Sequence, residues 1–141
     1  MPYGSRAQPW FFFYSPSATE IIVMDQTIYT SAAAAYAKIA QFTLKSPIVP
    51  GSYFTFTWQI RRTGGAGGNA KIYKNGVAIG TATAFADAVY NTTFTDTIRA
   101  ATLGDLNVGD TLELWAYAIG GSGLETKNFS INGIGSGFKI G

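Results

Sequence analysis

An all-β fold, built as a sandwich or barrel of antiparallel strands, is what this sequence predicts, and three features carry the prediction. One segment alternates apolar and polar residues with period two, Phe54, Phe56, Trp58 and Ile60 against Tyr53, Thr55, Thr57 and Gln59. Short segments of this kind recur between glycine-rich turns along most of the chain. The composition agrees: 15% aromatic residues, 17 glycines and only 13% charged residues, a balance suited to pleated, half-buried surfaces.

The elements follow in order. Residues 19–25 (TEIIVMD) and 35–45 (AYAKIAQFTLK) are strand-like, with a short helix at the alanine run 32–35 as the competing reading, because alanine favours helix. Residues 51–62 form the strongest strand, half-buried against the core. A glycine loop is expected at 63–69 (TGGAGGN). A hairpin follows, turning on Asn75-Gly76, the pair favoured where both central residues need positive φ. Gly80 is expected to end or bulge its second strand. Further strands are expected at 90–100 and 110–119, with a turn at 104–110 between them. After a loop at 120–123 comes a strand carrying Phe129 and Ile131 on one face, then a short last strand at GFKIG. The expected inner faces hold Phe42, Leu44, Phe54, Phe56, Trp58, Ile60, Ile72, Phe94, Ile98, Leu112, Leu114, Phe129 and Ile131.

The inventory of reactive groups excludes most catalysis. The chain has neither histidine nor cysteine, so imidazole acid–base chemistry, thiolate nucleophiles, Ser-His-Asp triads and His or Cys metal sites are all absent. Of the eight carboxylates, Asp87, Asp96, Asp105, Asp110, Glu113 and Glu125 are candidates for a glycosidase pair, and most are expected at turns. The expectation is a protein that is no enzyme, with no cofactor and no metal. GGAGGNAK lacks the ending of a phosphate loop, and DLNVGD lacks the spacing of a calcium loop. Two N-glycosylation sequons, at Asn91 and Asn128, are short enough to arise by chance. A net charge of +2 and only one adjacent arginine pair, Arg61-Arg62, speak against nucleic acid as a partner. No apolar run approaches the length of a membrane span.

Aromatic residues are more informative. In 110–119, Leu112 and Leu114 share one face while Trp115 and Tyr117 share the other. With the leucines inward, the two rings point outward, to be covered by another part of the chain, by a neighbouring subunit or by a sugar ring. Near the N-terminus Trp10, Phe11, Phe12, Phe13 and Tyr14 run consecutively between Pro9 and Pro16. Unbroken aromatics need burial on both sides, and flanking prolines suit an extended arm. The chain is therefore divided into an N-terminal aromatic arm, 1–17, and a β-sandwich domain, 18–141.

The succession PGSYFTFTWQI, AKIYKNGVAIGT, LNVGDTLELWAYA and TKNFSINGIGSGF, across residues 36–138, resembles the C1q/TNF-like jelly roll and the related β-sandwich virion structural proteins of phages and archaeal viruses. The resemblance rests on turn and core residues and implies an antiparallel β-sandwich of single jelly-roll type. It also implies a non-enzymatic assembly subunit: a capsid vertex, decoration or tail component that forms a trimer or pentamer, meets other virion proteins and has host glycans as optional partners. Made in the host cytoplasm, it would reside in the virion, or else be extracellular. Trp10, Phe11, Phe12, Phe13, Tyr14, Trp115 and Tyr117 would form the interface. The alternative is a carbohydrate-binding module that stacks sugars on Trp115, Tyr117, Tyr53 and Tyr73, with Asn and Asp side chains on the hydroxyls.

Overall fold

The computed structural model describes residues 21–44 and 53–134. Two antiparallel sheets face one another, as the sequence predicts for a jelly-roll-type sandwich. Strands β1 (Ile21–Asp25), β2 (Tyr29–Ser31), β4 (Tyr53–Arg62), β8 (Thr93–Arg99) and β10 (Leu124–Ile134) form sheet A. Strands β3 (Ala37–Thr43), β5 (Gly68–Lys74), β6 (Val77–Ala78), β7 (Thr83–Phe85) and β9 (Thr111–Ala118) form sheet B. Sheet A runs β1-β10-β4-β8, with β2 also paired to β10; sheet B runs β3-β9-β5-β6, with β7 also paired to β5. In each sheet one long strand thus has an edge shared by two short ones.

Alternation places the core. Phe54, Phe56, Trp58 and Ile60 of β4 are buried, as are Leu112, Leu114, Ala116 and Ala118 of β9, and the two rows meet with Ile72, Ile98, Phe129 and Ile131 between the sheets. Leu44 joins them, while Phe42 and Phe94 are part-buried and pack on the same core. Phe42 stacks on Phe129 with centroids 5.0 Å apart, and Phe94 on Trp58 at 6.3 Å. Burying each such side chain contributes about 1.5–3 kcal/mol before chain entropy is counted.

Asn75 and Gly76 turn the β5–β6 hairpin with φ of 51° and 79°, the pair of positive values that an Asn-Gly hairpin turn needs. Just beyond it the amides of Ile79 and Gly80 both donate to the Ile72 carbonyl at 3.0 Å, the doubled contact of a bulge.

Several expectations shift. The alanine run 32–35 is not helical: Ala33 donates its amide to Ser31 Oγ at 3.2 Å and accepts from the Ala118 amide at 2.9 Å. These tertiary contacts override alanine's propensity, and the strand begins at Ala37. The glycine loop ends sooner than expected, because Gly68 and Asn69 already belong to β5. Gly68 needs to be glycine there, since a Cβ would lie 1.9 Å from the Tyr117 carbonyl oxygen. Asp96, Glu113 and Glu125 lie on strands, not at turns. Strands β2 and β7 and the one-turn helix α1 (Ala100–Leu103) have no clear sequence signal. The aromatic arm and GFKIG lie outside the described residues.

Candidate functional site

The outer face of sheet B carries the feature that stands out. Cross-strand pairing sets its geometry, because directly opposed residues share a face. Asn69 lies opposite Tyr117, Lys71 opposite Trp115, and Tyr73 opposite Glu113 across the β5–β9 ladder. On the other side of β9, Lys38 lies opposite Trp115 and Gln41 opposite Glu113. The sequence places Trp115 and Tyr117 outward, and both are, half-buried rather than free.

Their rings do not stand alone. Trp115 stacks on Tyr73 with centroids 4.2 Å apart and planes within 10°. Tyr36, just before β3, reaches across β9 to meet Tyr117 edge-on at 4.9 Å and Tyr73 at 6.2 Å. The Lys71 ammonium lies 4.8 Å from the Tyr36 ring centroid, a cation–π distance. Asn69 Nδ2 donates to the Tyr117 hydroxyl at 2.7 Å. Partial burial raises the pKa of the Tyr36 hydroxyl above its ordinary value, and the neighbouring Tyr117 and Tyr73 add to the rise. The result is a continuous patch of four rings, part-exposed, with amide, hydroxyl and ammonium groups set among them.

Glu113 is the anchor beneath it. Only 3% of this residue is exposed. Its Oε1 accepts from Trp115 Nε1 at 2.7 Å and from the Gly76 amide at 3.1 Å, and Oε2 accepts from the Thr111 hydroxyl. The carboxylate thus fixes the indole's orientation and ties it to the hairpin turn. That use differs from the acid–base role for which the residue is a candidate by type.

Of the ring set expected for sugar stacking, Tyr73 belongs to this patch and Tyr53 does not. Tyr53 lies on β4 opposite Arg99, on the outer face of sheet A. Alternation reveals that Tyr53 points away from the core but not which sheet it belongs to. Tyr36, Lys38, Asn69 and Lys71 carry no signal in a single sequence, because cross-strand register alone brings them to Trp115 and Tyr117.

Four other carboxylates, Asp25, Asp96, Asp110 and Glu125, are bonded within the architecture. Asp25 accepts from the Thr27 amide and the Tyr29 hydroxyl; burial, the largest single effect, pushes its pKa up, but the bonds from Tyr29 and Thr27 together outweigh it and hold the carboxyl below its ordinary value. Asp110 accepts from the Asn107 amide at 2.8 Å and from Asn75 Nδ2 at 3.1 Å, which hold its pKa down in that order. The segment DLNVGD is therefore a self-bonded turn. Asp96 accepts from the Thr81 amide at 2.7 Å. On sheet A, Glu125 Oε1 takes the Tyr90 hydroxyl at 2.8 Å and Arg61 Nε at 3.0 Å. No group of three or more carboxylates lies together among the described residues.

The fold and this face together define a class, the β-sandwich with a part-exposed aromatic surface on one sheet. No protein-family model matches the sequence, and no curated protein matches it. Solved structures do share the fold. The C-terminal domain of EclA, described as a sugar-binding protein, superposes with a TM-score of 0.51 at 14% identity, over 91% of this chain and 87% of that domain. A cyclase from Fischerella sp. TAU, in complex with 4-(1H-indol-3-yl)butan-2-one, gives 0.49 at 18% identity over 69% of this chain, which spans 56% of the cyclase. A carbohydrate-binding module from Cellvibrio mixtus lichenase 5A, in complex with cellotriose, gives 0.48 at 16% identity, over 80% of this chain and 98% of that module.

Proposed function

We propose that this chain is a non-catalytic carbohydrate-binding module whose sugar platform is the outer face of sheet B. The observation that carries the reading is the Tyr36–Tyr73–Trp115–Tyr117 patch, half-exposed and interleaved with Asn69 and Lys71. A pyranose presents an apolar face of C–H groups and a rim of hydroxyls, so it pairs with ring faces bordered by amide and ammonium donors. The absence of histidine and cysteine from the chain leaves binding a better match than acid–base chemistry. The shared fold with a protein described as sugar-binding supports the same reading. It favours what the sequence offers as the alternative over the virion subunit that the sequence puts first.

Trp115→Ala tests it. The full chain should bind selected glycans on an array, with a change in tryptophan fluorescence on titration. The variant should lose about tenfold in affinity, the value of one good ring contact, with an unchanged circular dichroism spectrum. Unaltered glycan binding by the variant, or no glycan binding by the full chain, would overturn the reading.

Self-association through Trp115 and Tyr117, as in a virion subunit, competes for the same face. Val77 on the sheet B edge strand, 65% exposed, is the observation in its favour. Light scattering separates the two: a closed trimer or pentamer lost in Trp115→Ala would assign the face to a second copy.

A further inference from the structure

The sugar platform has a sign. Trp115 is the central residue of its rank across sheet B, with Lys38 opposite it on β3 and Lys71 opposite it on β5. Adjacent strands lie about 4.8 Å apart, so the two lysines flank the indole at about 10 Å from each other at the backbone. Lys38 is exposed and Lys71 half-buried. The single ion pair among the described residues is Arg61–Glu125, on the other sheet, so neither lysine has a carboxylate partner there. Glu113, the acid nearest in register, is buried with its oxygens turned to Trp115, Gly76 and Thr111. Asp110 is engaged with Asn107 and Asn75. Lys74 is also committed, its ammonium donating to the Leu103 carbonyl at 2.6 Å and the Asp105 carbonyl at 3.0 Å. Among the described residues the charged groups open beside the rings are therefore the two ammoniums, with Glu113 turned inward and Asp110 bonded.

Resting on the sugar-binding reading, we propose that the ligand is an anionic saccharide. Its ring would lie on the aromatic patch, and its carboxylate or sulfate would be held between Lys38 and Lys71. Two cations with no acidic partner among the described residues, beside a stacking surface, discriminate in favour of negative charge. A neutral sugar gains only the stacking and hydroxyl contacts, and an acidic one adds charge-assisted hydrogen bonds.

The experiment compares matched probes on the full chain by titration calorimetry: oligogalacturonate against its methyl ester, and a sulfated galactan oligosaccharide against the unsulfated one. An acidic member of either pair should bind more tightly than its neutral counterpart, with the preference shrinking as salt is raised. Which pair responds separates carboxylate from sulfate. Lys38→Gln and Lys71→Gln should each reduce affinity for the acidic probe about two- to fivefold, the range of an exposed ion pair. Lys71→Arg should retain affinity, since it keeps both the charge and the contact with Tyr36. Equal binding of acidic and neutral probes, lost in Trp115→Ala but unchanged in both glutamine variants, would overturn the anionic ligand and leave the platform standing. No binding of any probe, with none on a wider glycan array, would overturn the sugar reading and this inference with it.

Discussion

The two outer faces of the sandwich are built on the same alternation yet reach opposite chemical states. On sheet A the outward side chains bond to one another. The Thr55 and Thr97 hydroxyls meet at 3.1 Å, Thr57 meets Ser130, Asn128 donates to Gln59 at 2.7 Å, and Arg61 holds Glu125. On sheet B they stack. Hydroxyls and a guanidinium paired within the sheet direct part of their bonding capacity at one another. A stacked ring still has a second face, and Trp115 and Tyr73 both stay part-exposed. Sheet A is thereby closed by its own polar pairs, and sheet B keeps capacity for a partner. A sandwich whose core is placed by one face of each strand can vary the other face without disturbing the fold.

The contrast can be broken hardest at Gly68. A methyl group there would lie 1.9 Å from the Tyr117 carbonyl oxygen and 3.1 Å from the Ala118 Cα. Both are backbone atoms, so β5 and β9 must separate. Gly68→Ala should cost about 2–3 kcal/mol, the upper range for overpacking, and should displace Tyr117 from Asn69. Urea unfolding measures the first effect. Hydrogen exchange should show the loss of protection confined to sheet B, while β4 and β8 of sheet A keep theirs. Equal loss in both sheets would mean that the two faces are not independent.

A smaller effect is expected at Glu113. Glu113→Ala leaves the Trp115 Nε1–H and the Gly76 amide without their acceptor. The amide sits at an exposed turn, where water can replace the carboxylate, so the cost should be about 1–2 kcal/mol. Released from its anchor, the indole should give a red-shifted, broader tryptophan emission. Glu113→Gln keeps a carbonyl oxygen for Trp115 and should restore most of the native spectrum. An emission unchanged in the alanine variant would show that stacking on Tyr73 alone holds the ring.

Much of this arrangement is legible in the sequence, for reasons that differ from residue to residue. The core row of β4 reads directly, because every second residue from Phe54 to Ile60 is large and apolar. Asn75-Gly76 reads directly because few other pairs accept two positive φ values. Trp115 and Tyr117 are assigned outward because Leu112 and Leu114 claim the inner face. What escapes is cross-strand register. Lys38 and Lys71 are 33 positions apart in the chain yet share the rank of Trp115, and no local pattern encodes that. Tyr36 escapes because it follows an alanine run whose propensity points to helix. The short strands β2 and β7 escape because three residues cannot display a period.

The smallest effect, and the sharpest test of how sheet A is closed, lies at Tyr90. Its hydroxyl donates to Glu125, while the Arg61 guanidinium and the Lys127 ammonium lie 5.5 Å and 4.4 Å from its ring centroid. Partial burial, followed by the bond to Glu125, pushes its pKa up to about 12. The Tyr90 bond, more than the Arg61 contact, holds Glu125 below its ordinary value. The signs follow. A raised phenol pKa means that the folded state favours the neutral form, so this contribution is complete below about pH 10 and disappears as pH rises through about 12. A lowered carboxylate pKa means that the Glu125 contribution is present above its ordinary pKa and is lost as pH falls through the lowered one. Tyr90→Phe should cost less than about 1 kcal/mol at neutral pH, in keeping with a solvent-facing cluster. It should also remove one late-titrating tyrosinate from the ultraviolet titration and move the acid edge of the stability profile to higher pH. An acid edge that stays in place would show that Arg61 alone sets the state of Glu125, making the closure of sheet A an ion pair rather than a network.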